Sequence, residues 1–260
     1  MKVKDIMSSE PIFVDINEYV TRARELMRNY NYDSLPVVEN GRVAGIVTLQ
    51  DIIHISSTKS DVTVNGYVRL DVPTLEPDAR LPVAAALIVR TDEGRIPVVD
   101  SDRRLMGLLS ITDIFKGLEE LDLADEPVSK FMTKKVVVCE PDDTLSRVWT
   151  NMQNYGFTGF PVVKKDQEVI GMITREDVMK KGYARIENES ERGGRMSTSV
   201  QKIMSTPAVT VDESDSMVKA AKIFMEREIG RLPVLKNKKL VGIIDRYDII
   251  RACRRPMIVG

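Results

Sequence analysis

Leu35-Pro36-Val37-Val38 is followed along the chain by Ile96-Pro97-Val98-Val99, Phe160-Pro161-Val162-Val163 and Leu232-Pro233-Val234-Leu235. An apolar phrase built on one proline and met four times reads as one structural unit repeated. The residues around each copy keep their distances. Twenty-nine positions before each proline stands an apolar residue closing a short amphipathic segment: Met7, Val68, Met132 and Met204. Nine or ten positions after it comes a glycine, at Gly45, Gly107, Gly171 and Gly242, and 15 or 16 after it an aspartate, at Asp51, Asp113, Asp177 and Asp248. The one residue of slack falls in a turn. From proline to proline the steps are 61, 64 and 72 residues.

Periodicity orders the elements within a unit. A β-rich stretch such as Ile12-Phe13-Val14 or Val136-Val137-Val138 comes first. A helix follows: Val20, Ala23, Met27 and Tyr30 recur at helical spacing in the first unit, as do Leu145, Val148, Met152 and Tyr155 in the third, giving one apolar stripe each. Next comes a hairpin, its reversal at Glu39-Asn40-Gly41-Arg42 in the first unit and at the longer Ser101-Asp102-Arg103-Arg104 in the second. A second helix begins after the glycine. The resulting β-α-β-β-α unit is too small to bury a sufficient core alone, so units are expected to pair. The fold class is α/β of the α+β repeat type, with four units in two pairs. Expected boundaries are 1–60, 61–122, 123–182 and 200–260, with a polar, glycine-containing flexible connector over 183–199. The division between pairs is placed at the acidic stretch Glu119–Glu126, the midpoint of the array.

Composition narrows the function classes. With 38 Lys+Arg against 39 Asp+Glu, the 260-residue chain has a formal net charge of −1, which argues against coating nucleic acid or an anionic membrane through bulk charge. The longest apolar run, Val83–Val89, is far short of a membrane span, and no apolar signal core opens the sequence. A cytoplasmic protein without a membrane segment is the expectation. Cys139 and Cys253 lie far apart and the chain has a single histidine, so neither a disulfide framework nor a zinc site is indicated. No catalytic constellation is visible, and the expectation is a protein that is not an enzyme.

The glycine-to-aspartate segments carry the chemistry. They run Gly45-Ile-Val-Thr48-Leu-Gln-Asp51, Gly107-Leu-Leu-Ser110-Ile-Thr-Asp113, Gly171-Met-Ile-Thr174-Arg-Glu-Asp177 and Gly242-Ile-Ile-Asp245-Arg-Tyr-Asp248. One reading is a capping box, in which the hydroxyl accepts from an early helical N–H and the acid three positions on reaches back. The other is a ligand end, with the hydroxyl and helix N-terminus facing an anion and the aspartate accepting from ribose hydroxyls. Asp245 separates them: a carboxylate caps a helix as well as threonine does, but beside a phosphate it repels.

These residues resemble the tandem CBS-domain family, over essentially the whole chain. The resemblance implies paired domains with clefts for adenine nucleotides. Carried over residue by residue, it implies ribose contacts at Asp51, Asp113, Asp177 and Asp248, and phosphate contacts at Thr48, Ser110 and Thr174, with Asp245 departing from the pattern. Two residues before the proline, Arg95 and Arg231 belong to the second and fourth units alone, where the others have Ser34 and Gly159. That alternation is similar to the γ regulatory subunit of AMP-activated protein kinase and implies phosphate contacts at Arg95 and Arg231 and a disc-like arrangement of the four units. The match is partial, because Gly94 and Gly230 stand where that subunit has histidine. The expected function is regulatory binding of AMP, ADP or ATP, with output through an unidentified partner protein and scope for self-association. The expectation is that the repeats take up this sequence, with no segment in it for a catalytic barrel. S-adenosylmethionine or another adenosine derivative is the alternative ligand, and a ligand-independent scaffold the alternative class.

Overall fold

Each repeat turns on a hairpin whose reversal the sequence dictates locally. In the first, Asn40 and Gly41 both take positive φ (50° and 78°), as a two-residue reversal between twisted strands requires. The computed structural model describes residues 1–52, 55, 61–91, 93–180 and 198–254. The connector expected over 183–199 lies, up to residue 197, outside the described residues. The chain divides into two units, Met1–Leu123 with Cys253–Gly260 and Ala124–Ala252, each holding two repeats.

In the first unit, β1 (Val14–Asp15), α1 (Val20–Tyr30), β2 (Ser34–Glu39), β3 (Arg42–Thr48) and α2 (Leu49–Ile52) form the first repeat. The second contains α3 (Leu81–Ile88), β4 (Arg95–Val99), β5 (Leu105–Ser110) and α4 (Ile111–Phe115). In the second unit, α5 (Leu145–Tyr155), β6 (Gly159–Val163), β7 (Val169–Thr174) and α6 (Arg175–Lys180) form the third repeat. The fourth has β8 (Val211–Asp212), α7 (Met217–Arg227), β9 (Arg231–Lys236), β10 (Lys239–Asp245) and α8 (Arg246–Ala252). The fold is thus of mixed α+β class. The hairpin strands pair antiparallel, and β1 and β8 lie parallel to β2 and β9.

The opening strand is shorter than the sequence suggests. Of Ile12-Phe13-Val14, Val14 alone lies in β1, and in the third repeat the pairing falls at Cys139, opposite Val162, rather than in Val136–Val138. Local β propensity yields here to where the chain runs alongside the proline strand. The prolines tolerate this central position because their carbonyls are what the opening segment uses: Pro97 accepts from Leu75 N–H at 3.0 Å and Pro161 from Cys139 N–H at 3.1 Å. Of the helical stripes, Val20, Ala23 and Met27, and Leu145, Val148 and Met152, are buried, with Trp149 beside them. Tyr30 and Tyr155, at the stripe ends, are half exposed.

The two repeats of a unit exchange their opening segments. Ser8 pairs antiparallel with Leu108 of β5, through backbone bonds of 3.0 Å in each direction, and Arg69 pairs with Ile46 of β3 at 2.8 and 3.1 Å. The second unit repeats this with Thr133 on Ile243 of β10 and Ser205 on Met172 of β7. Each exchanged segment crosses a repeated glycine. A Cβ on Gly45 or Gly171 would fall onto the carbonyl of Arg69 or Ser205, with Val68 or Met204 next at 2.9 Å, and one on Gly107 or Gly242 onto the sulfur of Met7 or Met132. The glycine in one repeat and the apolar residue in the other are thus two halves of one contact, which is why both recur at fixed spacing.

Gly45→Ala is expected to destabilise the protein by about 2 kcal/mol, the cost of overpacking a closed contact. Gly66→Ala, where nothing lies within 4 Å of the added carbon, is expected to shift stability by no more than about 0.5 kcal/mol. Denaturant melts of the two variants side by side check the pair.

Candidate functional site

Each hairpin hands its second strand to a short helix, and the four strand-to-helix junctions bear the residues singled out from the sequence. At the first, the Thr48 hydroxyl donates to Asp51 Oδ2 at 2.6 Å, the Thr48 N–H donates to the same oxygen at 3.0 Å, and Asp51 N–H returns to the hydroxyl at 3.3 Å. Ser110 and Asp113 repeat this at 2.7, 2.9 and 3.3 Å, and Thr174 and Asp177 at 2.6, 2.8 and 3.2 Å. At the fourth, Asp248 Oδ2 accepts from Asp245 N–H at 2.9 Å, and Asp245 Oδ1 accepts from Asp248 N–H at 3.1 Å. The capping geometry is present at all four. It consumes one carboxylate oxygen at each, and the hydroxyl proton at the first three, and leaves Oδ1 to other partners. A phosphate at Thr48, Ser110 or Thr174 therefore requires the hydroxyl proton to be redirected.

Cations already stand at Oδ1. Lys116 Nζ lies 2.7 Å from Asp113 Oδ1, and Arg251 Nη1 lies 2.9 Å from Asp248 Oδ1, each one helical turn after its aspartate. Lys180 has the same sequence position after Asp177, but its side chain lies outside the described residues. At Asp51 the cation comes from the other repeat: Arg69 Nη2 is 2.9 Å from Oδ1, and Nε is 3.0 Å from Oδ2. Burial on its own would raise the Asp51 pKa; the Arg69 and Thr48 hydrogen bonds outweigh it and hold the carboxyl below the ordinary range.

Register explains the alternating arginines. Arg95 and Arg231 are the Cα partners of Ser110 and Asp245, and Ser34 and Gly159 are those of Thr48 and Thr174. Each arginine then reaches across to the loop before the other repeat's hairpin. The Arg95 guanidinium sits 3.9 Å above the Tyr32 ring centroid, and Arg231 Nη1 donates to Thr158 Oγ1 at 2.5 Å. Tyr32 and Phe157 stand four residues before their prolines, with Asp33 and Thr158 next. Desolvation lowers the Arg95 pKa, against the pull of Tyr32, Asp33 and Asp113. In the first and third repeats the helix-opening N–H is taken internally: Leu49 donates to the Asp33 carbonyl at 2.7 Å and Arg175 to that of Thr158 at 2.9 Å.

The structure therefore brings Arg95 to the Ser110–Asp113 junction and Arg231 to the Asp245–Asp248 junction, with no arginine from this position at the Thr48–Asp51 and Thr174–Asp177 junctions. Sequence reading missed Arg69, Lys116 and Arg251. The last two had a signal, a basic residue three positions after the aspartate. Arg69 had one too, standing directly after Val68 where the other repeats have Ser8, Thr133 and Ser205. Burial comes first, then the Asp245 carboxylate, in pushing Asp248 up to about 6, against the hydrogen bonds from Asp245 N–H and Arg251. Among the described residues no helix is long and apolar enough to cross a membrane.

Repeated hairpins, exchanged segments and capped aspartates define a tandem-repeat fold of paired α+β units, and the comparisons agree on its family. The family model of the CBS domain matches residues 3–58, 64–120, 128–183 and 200–255, so the chain belongs to the CBS-domain family. It is 28% identical to protein MJ1225 of Methanocaldococcus jannaschii over 256 residues, covering 89% of this chain and 91% of that protein. The crystal structure of MJ1225, described as a candidate archaeal homologue of γ-AMPK, matches with a TM-score of 0.78 at 25% identity over 96% of this chain and 99% of that one. A conserved protein of Pyrococcus horikoshii has the same fold, with a TM-score of 0.69 at 21% identity over 96% of this chain and 99% of that one. Protein MJ1404 of Methanocaldococcus jannaschii is 27% identical over 263 residues, and the match takes in 96% of this chain but 61% of MJ1404.

An acid whose pKa is raised on folding binds its proton in the folded state first, so its contribution to stability grows as pH falls from above about 6 toward the ordinary carboxylate value and is level below that. Asp245→Thr, which keeps a capping side chain and removes the neighbouring charge, is expected to raise stability at pH 7 by roughly 1 kcal/mol. It is also expected to flatten the dependence between pH 4 and 7. Thermal melts of wild type and variant across that range check both.

Proposed function

We propose that this chain is a regulatory module that binds adenine nucleotides, AMP, ADP or ATP, and reports their presence to a partner protein. The observation that carries the reading is the Ser110–Asp113 junction. There a half-buried arginine, on the strand facing the hydroxyl, lies over the Tyr32 ring, and Asp113 Oδ1, not used by the cap, meets the exposed side chain of Lys116. That set offers one cationic group for phosphate, an acceptor for a ribose hydroxyl and an aromatic face within one end of a repeat pair. Arg95 carries a guanidinium, which stays protonated in proteins at neutral pH. Membership of the CBS-domain family and the description given to MJ1225 support the same choice of ligand.

The Thr174–Asp177 junction is the second binding end in this reading. Gly159 stands there in place of an arginine, so it serves the adenosine part more than the phosphate. Regulation follows from placement: a ligand gripped by residues of both repeats stabilises one setting of the pair, and a partner that prefers that setting senses it, to the extent of the ligand's differential affinity. The Asp245–Asp248 junction favours the alternative ligand class. Two carboxylates beside Arg231 suit a cationic or neutral adenosine derivative such as S-adenosylmethionine better than a triphosphate.

Titration calorimetry with AMP, ADP, ATP and adenosine tests this. Arg95→Ala is expected to weaken AMP binding by about 10- to 100-fold, the worth of a charge-assisted hydrogen bond, and adenosine binding by much less. Asp113→Ala and Asp177→Ala are expected to weaken all four ligands. A protein whose melt does not move with any of them would be a ligand-independent scaffold, since ligand at 100 times its dissociation constant adds about 2.7 kcal/mol.

A further inference from the structure

The first repeat's junction differs from the others in what fills it. Arg69 is the second repeat's counterpart of Ser8, Thr133 and Ser205, and Glu93 is its counterpart of Tyr32, Phe157 and Ile229. Two residues peculiar to one repeat therefore meet at one place. Arg69 grips Asp51 with a fork, Nη2 to Oδ1 at 2.9 Å and Nε to Oδ2 at 3.0 Å, and its Nη1 reaches Glu93 Oε1 at 3.4 Å. The Ser34 hydroxyl, almost wholly buried, donates to the Glu93 carbonyl at 2.9 Å and ties that residue to the base of β2. Arg69 is itself fixed by backbone bonds to Ile46 in both directions. The guanidinium is thus anchored at its own backbone and neutralised on two sides.

We infer that Arg69 closes the Asp51 junction against adenosine ligands, so that this end works as a built-in lock between the two repeats and not as a binding end. The inference rests on the adenine-ligand reading of the other junctions. Its physical basis is occupancy of the acceptors. A ribose diol needs outward-facing carboxylate oxygen, and here Oδ2 already serves the Thr48 N–H, the Thr48 hydroxyl and Arg69, while Oδ1 serves Arg69. At Asp113 and Asp248 the competing cation is an exposed side chain one turn after its aspartate, which can swing into water with the loss, for Lys116, of one long bond to the Ile6 carbonyl at 3.4 Å. Arg69 is held by more bonds than either, because it forks onto both Asp51 oxygens while Glu93 holds its far side.

Arg69→Ser installs the residue that the first and fourth repeats carry at this position. In calorimetric titration with AMP, the variant is expected to bind one more equivalent per chain than wild type, and the double variant Arg69→Ser/Asp51→Ala to lose that equivalent. Unchanged stoichiometry and affinity in R69S, or weaker binding, would overturn the lock while leaving the reading of Asp113 and Asp177 intact, since wild type would still bind. Absence of AMP binding by wild type and by R69S alike would overturn both. Should R69S lose its cooperative melt, Arg69→Lys carries the same comparison: it keeps the charge and breaks the fork, and AMP uptake above the wild-type level is the supporting result, uptake at or below it the opposing one.

Discussion

The exchange of opening segments between the two repeats of a unit is the constraint on which the rest of the structure depends. A repeat of this size cannot bury its hairpin alone, and the exchanged segment of its neighbour supplies the missing cover through paired backbone bonds such as Ser8–Leu108 and Thr133–Ile243. The approach is so close that one partner must lack a side chain, hence Gly45, Gly107, Gly171 and Gly242. The same strand that accepts the exchanged segment ends, a few residues on, at the capped aspartate. Packing and site geometry are therefore set by one crossing.

At the junctions the helix cap takes only half of each aspartate. A carboxylate has two oxygens; Oδ2 closes the helix start and Oδ1 faces away from it. What differs between junctions is the charge brought to Oδ1 and the residue opposite the cap. Lys116 and Arg95 make one junction cationic, Arg69 and Glu93 fill another, and a third pairs two carboxylates, where burial and then Asp245 raise the Asp248 pKa. Four copies of one motif thus become chemically distinct ends through residues outside the motif.

That division also marks what was legible in the sequence. The repeat, its element order and the pairing of units follow from fixed spacings, because proline, glycine and aspartate each answer a local backbone demand that reads the same in every copy. The opening strand was overread, since Val136–Val138 look like a strand but pairing is decided by the proline strand alongside, at Cys139. Tyr30 and Tyr155 fit the helical stripes and yet stand half in solvent, because the stripe outlasts the core it covers. Arg69 escaped notice because its target lies 18 positions upstream in another repeat, a distance set by the exchange and not by any helical or strand period.

The exchange also sets an order of events during folding. Arg69 meets Ile46 across 23 positions, whereas Ser8 meets Leu108 across 100; in the second unit Ser205 meets Met172 across 33 and Thr133 meets Ile243 across 110. Closing the longer loop costs about 1 kcal/mol more chain entropy than closing the shorter. The short crossing thus has the lower entropic barrier, and a nascent chain can make it well before β5 or β10 has emerged from the ribosome. Until the long crossing closes, Leu108 and Ile243 keep an open strand edge, so the interval between the two crossings is when each unit is most exposed to mispairing with a second chain.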